Sequence, residues 1–288
     1  MKTLLDALRS SAIRRWLAAG ALLLLAAPFA DAATLQEAAD LPNRWGPNPT
    51  ASDYGERYDD LFALITWLIS VSFGIMLILL ILPVIRDRSR EGHKASFDHG
   101  SSLQDKRFTA IVSVIVFIVL DAWVLVIAVK DLREAYWNIP RDTEDAYRVE
   151  ILAQQWSWNF RATGADGEFG TADDIVTIND LTIPQGRPVV FNMTSKDVIH
   201  SFYVPDMRMK RDANPGAINE AWFRPITAGN FDILCAELCG FAHYQMGAKL
   251  HVLSPEDFPA WEQDASMIAV AAFDAEDTEA QWAWDWKE

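Results

Sequence analysis

Cysteine is nearly absent from this sequence: two residues in 288, at positions 235 and 239, with five histidines to go with them. No Cys-x-x-Cys-His run occurs, which excludes a covalently attached c-type haem, and no stretch has EF-hand spacing. Positive charge is scarce beyond residue 130. From Asp131 to Glu288 there are 12 Lys and Arg against 27 Asp and Glu, while the first 130 residues balance at 13 against 13. So acidic a segment argues against nucleic acid and for either plain solubility or a basic protein partner steered by the field.

Charge is also missing from two long apolar runs. Leu61 to Ile85 has none, and Phe108 to Val129 has Asp121 alone. Each is long enough to span a bilayer. Arg86, Arg88, Arg90, Lys94, Lys106 and Arg107 crowd the connection, which the positive-inside rule places in the cytoplasm. Both the N-terminus and everything after Lys130 are then outside. Residues 1–33 read as a secretory signal, with Lys2, Arg9, Arg14 and Arg15, an apolar core, and Ala30-Asp31-Ala32 for cleavage. Residues 34–60, punctuated by Pro42, Gly46, Pro47 and Pro49, read as an exposed lead-in. Asp121 costs on the order of 2.5–3.5 kcal/mol within the span. It should therefore face protein or water, either at a catalytic membrane subunit or as a polar lock between the two helices. His93 and His99 read as surface residues of the loop.

After Tyr147 the apolar period becomes two. Tyr147, Val149 and Ile151 alternate, Trp156, Trp158 and Phe160 continue in the opposite phase, and the slip at Gln154-Gln155 predicts a β-bulge. Further strands are expected at 175–183, 188–194, 200–204, 220–223, 230–234 and 247–253, which indicates a β-sandwich or barrel. Asp166 to Asp174 reads as a hairpin turn in preference to a calcium loop. Ser254-Pro255-Glu256-Asp257 opens a helix, with Ser as cap and Pro at its first position, running to about Glu262. The tail, 264–288, is rich in Ala and acids, with Trp282, Trp284 and Trp286 alternating.

Chemistry concentrates in Cys235 to Met246, C-A-E-L-C-G-F-A-H-Y-Q-M. Thiolate, imidazole and thioether at 235, 239, 243 and 246 are donors that select copper over magnesium or calcium. Two Cys four apart on a compact loop can aim both sulfurs at one point, and bridging thiolates can hold two metals. Each metal then needs one His and one weak axial donor. The loop has one His and one Met, so a second His comes from elsewhere, and a backbone carbonyl can serve as the other axial ligand. His200, in Asp197-Val198-Ile199-His200-Ser201, is the candidate for the missing imidazole. A disulfide, the default for an even count in an exported chain, and a structural zinc site are the alternatives, although Met is a poor zinc ligand.

D-V-I-H-S at 197–201, K-R-D-A-N-P-G at 210–216 and the Cys235–Met246 segment, in that order and after two apolar spans, resemble cytochrome c oxidase subunit II from about residue 55 to 263. The resemblance implies a membrane-anchored all-β protein: a two-helix transmembrane hairpin (61–129) followed by a cupredoxin-like Greek-key β-sandwich (130–263). It implies a binuclear copper centre, copper A, with Cys235 and Cys239 bridging, His200 and His243 each capping one copper, and Met246 and the Glu237 carbonyl axial. The Glu237 carboxylate would help hold a magnesium ion shared with subunit I. Trp156, in Gln155-Trp156-Ser157-Trp158, is implied as the point where electrons arrive, and Asp197 as a contact for a basic partner; Trp158 reads as core. The implied function is to accept electrons from cytochrome c and pass them to the haem of subunit I, where oxygen is reduced and protons are pumped. The implied place is a bacterial inner membrane, with the β domain on the periplasmic side. A copper A subunit of another terminal reductase, such as a nitric oxide reductase, and a membrane-anchored copper carrier are the competing readings. The chain departs from the family's pattern twice. Gln104-Asp105, without a Trp, stands where E-x-x-W is common near the cytoplasmic start of the second helix, so no proton role is assigned there; Ala217 follows Pro-Gly where Arg is common.

Overall fold

The computed structural model describes residues 49–86, 88, 91–92, 100–141, 143, 145–274 and 276. The expected signal segment, most of the lead-in, His93, His99 and the three tail tryptophans lie outside them. The described chain divides into two units, residues 60–126 and residues 50–59 together with those from 127 onward.

The first unit is mostly helical, and its helices run past its bounds at residues 60 and 126. Helix α1 (Gly55–Arg86), and a second rod made of α2 (Leu103–Val116), a π-helical segment (Phe117–Ala122) and α3 (Trp123–Tyr136), are each long and apolar enough to cross a membrane. Their 32 and 34 residues exceed the ~20 that a hydrocarbon core requires, so both outrun the apolar stretches that predict them. Ser102 caps α2 by accepting from the Asp105 N–H at 3.1 Å. In α1 the Thr66 and Ser70 hydroxyls donate to carbonyls four residues back, each at 2.7 Å, which satisfies them within an apolar helix. Asp121 lies exposed in the π-helical segment and makes no hydrogen bond or ion pair among the described residues.

The second unit is a cupredoxin-like sandwich of ten strands: β1 (Tyr147–Gln154), β2 (Ser157–Ala162), β3 (Ile175–Ile178), β4 (Asp180–Pro184), β5 (Val189–Ser195), β6 (His200–Val204), β7 (Met209–Ala213), β8 (Asn219–Phe223), β9 (Gly229–Cys235) and β10 (Gly247–Leu253). They form two five-stranded sheets, ordered β3-β2-β1-β5-β8 and β4-β10-β9-β6-β7. β1 and β5 run parallel, as do β4 and β10; the other neighbours are antiparallel. Ile151, Trp158, Phe160, Phe191 and Phe223 of one sheet and Phe202, Ile233 and Leu250 of the other are all fully buried in one core. Phe202 is the joint. Its ring stands edge-on to Trp158 at 5.3 Å, with Phe191 at 5.6 Å and Phe160 at 6.2 Å.

Several elements differ from their sequence expectation. The expected bulge at Gln154-Gln155 is a hairpin turn: Ala153 faces Trp158 and Gln154 faces Ser157, leaving Gln155 and Trp156 at the tip. Across such a turn, paired positions have opposite parity, so the inward phase flips without any extra residue. The expected strand 175–183 is two strands in different sheets, parted at Asn179, whose φ of 55° is the left-handed geometry that Asn tolerates. Part of the lead-in is not exposed. Ala51, Ser52 and Tyr54 are buried; Ser52 Oγ donates to the Met207 carbonyl at 2.7 Å and Tyr54 Oη to that of Trp222 at 2.6 Å. Helix α4 (Phe258–Ala272) starts later and runs further than expected. Ser254 Oγ does accept from the Asp257 N–H at 3.2 Å, but this closes a turn ahead of the helix, whose own proline is Pro259 at its second position. The 166–174 loop joins antiparallel β2 and β3, as a hairpin turn should.

Removing the joint between the sheets should be costly. Phe202→Ala is expected to destabilise the β unit by about 3–5 kcal/mol, and Phe202→Leu by much less. Urea unfolding of the full chain in detergent, followed by tryptophan fluorescence, measures both.

Candidate metal centre

The donors gather because β6 and β9 are neighbours. Phe202 pairs with Cys235, so His200 at the start of β6 lies beside Cys235 at the end of β9. The loop between β9 and β10 is pinned at both ends: the Cys235 N–H donates to the Met246 carbonyl at 3.1 Å and the Ala236 N–H to that of Ser201 at 2.9 Å. Within it, a 3-10 turn (His243–Gln245) carries the second imidazole. The sequence separation between His200 and the loop is thereby closed by sheet pairing.

The atoms converge. Cys235 Sγ and Cys239 Sγ are 3.8 Å apart, and both thiols are free. His200 Nδ1 lies 3.9 Å from Cys235 Sγ and 3.2 Å from Met246 Sδ. His243 Nδ1 lies 3.5 Å from Cys239 Sγ, which is 3.6 Å from Met246 Sδ. The Glu237 carbonyl faces Cys235 Sγ at 3.2 Å. The donor atoms of His200, Cys235 and Cys239 all fall within 4.8 Å of one another and can hold a metal ion. His200, Cys239 and Met246 are buried, Cys235 and His243 are partly so, and Glu237 is exposed. Two sulfurs, two imidazoles, a thioether and a carbonyl exceed the four donors of a tetrahedral zinc site and include the soft thioether that zinc disfavours.

The family profile described as "Cytochrome C oxidase subunit II, periplasmic domain" matches residues 148–252. The "Alternative cytochrome c oxidase subunit 2" of Bradyrhizobium diazoefficiens is 34% identical over 247 residues, covering 78% of this chain and 86% of that one. The chain belongs to the cytochrome c oxidase subunit II family. The subunit 2 of Cereibacter sphaeroides is 28% identical over 286 residues, 86% of this chain and 90% of its own. The periplasmic domain of subunit II of cytochrome oxidase (CoxB) of Bradyrhizobium japonicum is a solved structure that aligns with 42% of this chain and 94% of its own, at 25% identity and a TM-score of 0.38.

In this subunit II chain, Trp156 stands at the tip of the β1–β2 hairpin, 38% exposed. Trp158 is core, as expected, and edge-on to His200 at 6.1 Å. Asp197 has a task that its sequence position did not suggest. Its Oδ1 lies 2.9 Å from His200 Nε2 and accepts from the Val198 N–H at 2.6 Å, while Oδ2 accepts from the Gln155 N–H at 2.7 Å. A carboxylate on Nε2 turns Nδ1 toward the sulfurs. An Asp three residues ahead of His200 was the available signal.

Electrostatics divides the two thiols. Burial alone would raise Cys235, but its bonds with His200 and the Ser201 backbone outweigh burial and pull it down to about 6. Cys239 is pushed up to about 12, by burial and then by the thiolate character of Cys235 beside it. Burial disfavours charge on His200 too, yet Cys235 and Asp197 raise it above the ordinary imidazole range. In the metal-free site Cys235 is thus the more readily ionised of the two thiols. Iodoacetamide should therefore label Cys235 before Cys239 in the reduced, metal-free chain at pH 7. The Cys235 rate should fall as pH drops through about 6, where its thiolate is lost. Peptide mass spectrometry reads the order, and equal labelling would contradict the division of charge.

Proposed function

We propose that this chain is the electron-accepting subunit of a respiratory cytochrome c oxidase, holding two copper ions outside the membrane. The observation that carries the reading is the convergence of His200, Cys235, Cys239, His243 and Met246 from two chain segments onto one point. Cys235, Cys239, His200 and His243 would hold the metals, with Met246 and the Glu237 carbonyl as weaker donors. Bound there, the copper pair supplies a one-electron carrier with its charge shared over both metals.

The chain's own residues prepare that site. The buried walls around His200, Cys239 and Met246 exclude water, and Asp197 fixes the His200 ring. Trp156 offers an exposed indole at the adjacent hairpin tip. The acidic balance after residue 130 suits a basic donor such as cytochrome c, with Asp197 at its edge of the site. Leu238, Phe241 and Tyr244, 77%, 89% and 76% exposed on the ligand loop, suit cover by a neighbouring haem-bearing subunit I, and the exposed Glu237 carboxylate suits a magnesium ion held with it. The basic residues between the two helices suit a cytoplasmic loop, with the β unit on the periplasmic side of a bacterial inner membrane. A chain of this kind would hand electrons to that haem, for oxygen reduction coupled to proton pumping.

The full chain, loaded with copper, should bind two ions with one unpaired electron spread equally over both nuclei. Cys239→Ser should reduce this to one copper with a localised spin. Met246→Leu should keep both and shift the midpoint potential. A parent chain with one localised copper would overturn the reading, as would purification from membranes without a haem-bearing subunit.

A further inference from the structure

The turn between β1 and β2 reaches both ligand segments, although it supplies no donor. Gln155 makes the link. Its backbone N–H donates to Asp197 Oδ2 at 2.7 Å, and Asp197 in turn holds His200 Nε2. Its side-chain Nε2 donates to the Cys239 carbonyl at 2.7 Å. The next residue of the loop makes room for this. Gly240 has a φ of 120°, and a Cβ there would lie 2.7 Å from Gln155 Nε2 and 3.3 Å from Trp156 Nε1. A side chain at 240 would displace the Gln155 amide, and its backbone angle is one that L residues rarely adopt, so the contact favours glycine.

We propose that Gln155 is a positioning residue whose side-chain amide fixes the Cys239 peptide, and with it the aim of Cys239 Sγ and the seat of Trp156 against the ligand loop. This rests on the preceding reading that the two sulfurs hold copper. Gln155 is itself exposed, so water can satisfy the Cys239 carbonyl once the amide is removed. Water cannot hold that peptide in one orientation. The loss is therefore one of geometry at the metal, and the fold is left as it was. Gln154 provides the contrast: its Nε2 donates to Ser157 Oγ at 3.1 Å in the same hairpin. That bond stays within the hairpin.

The test uses the full chain in detergent, loaded with copper, as parent, Gln155→Met and Gln154→Met. Methionine keeps the length and removes the donor. Gln155→Met is expected to release copper to a chelator roughly ten-fold faster, to unbalance the hyperfine pattern between the two nuclei, and to shift the midpoint potential. Gln154→Met should match the parent in all three, and the copper-free unfolding midpoint should be the same in all proteins. Parent-like release, spectrum and potential in Gln155→Met would overturn the proposal. So would equal changes in Gln154→Met, which would mark a loosened hairpin, or a lowered copper-free midpoint confined to Gln155→Met. A parent without the two-nucleus signal sinks the preceding reading, and this one with it; a normal parent beside an unaltered Gln155→Met sinks this one alone.

Discussion

Two sulfurs held 3.8 Å apart in a partly buried loop are the arrangement around which the β unit is built. Were both ionised, they would repel by about 4 kcal/mol at an effective dielectric near 20. Without a cation the two thiols are set apart: burial and then Cys235 push Cys239 up, while hydrogen bonds with His200 and the backbone pull Cys235 down. A cation between them lets both ionise and turns the repulsion into attraction. The fold thus sets up a site that favours positive charge between the sulfurs, and Cys235 and Asp197 shift His200 upward against its burial, in the same direction.

The two sides of this site are held differently. His200 starts a strand, is fully buried, and is backed by Asp197 and by the edge of Trp158. That side is as rigid as the core. Cys239 and His243 lie on a loop whose ends are tied by the Cys235–Met246 and Ala236–Ser201 backbone bonds, with a 3-10 turn between. Here rigidity comes from a few hydrogen bonds, each worth roughly 1 kcal/mol net, so a single contact from outside the loop has leverage on ligand geometry.

Much of this was legible before any fold was known, because the candidate donor segments carry their chemistry in adjacent residues. Cys235, Cys239, His243 and Met246 announce a soft site by type and spacing, and alternation alone places β6 and β10 at their observed bounds. What escaped depends on residues distant in sequence or on features with two meanings. A phase flip at Gln154-Gln155 arises from a bulge or from a two-residue turn, and alternation cannot separate them. β7, Met209–Ala213, is an edge strand with three charged residues in a row, Lys210, Arg211 and Asp212, and its charges hid it. The burial of Ala51, Ser52 and Tyr54 depends on partners some 150 residues away, and a Pro-rich lead-in gives no sign of it. Asp197 looked like a surface acid because its link to His200 Nε2 is a matter of rotamer.

The core also sets a distance that matters to the site. Trp156 hangs from the sheet that contains β1 and β2, whereas His200 and Cys235 hang from the sheet that contains β6 and β9. The thickness of the aromatic layer between the sheets therefore governs how closely the hairpin tip approaches the ligand loop. Trp158, two residues from the tip, packs on Phe202, two residues from His200. Substituting either ring changes the spacing at the same end of the sandwich where Gln155 and Gly240 meet. The packing that stabilises the fold and the geometry that would carry the electron are thus set by the same side chains, so core volume and site function cannot vary independently here.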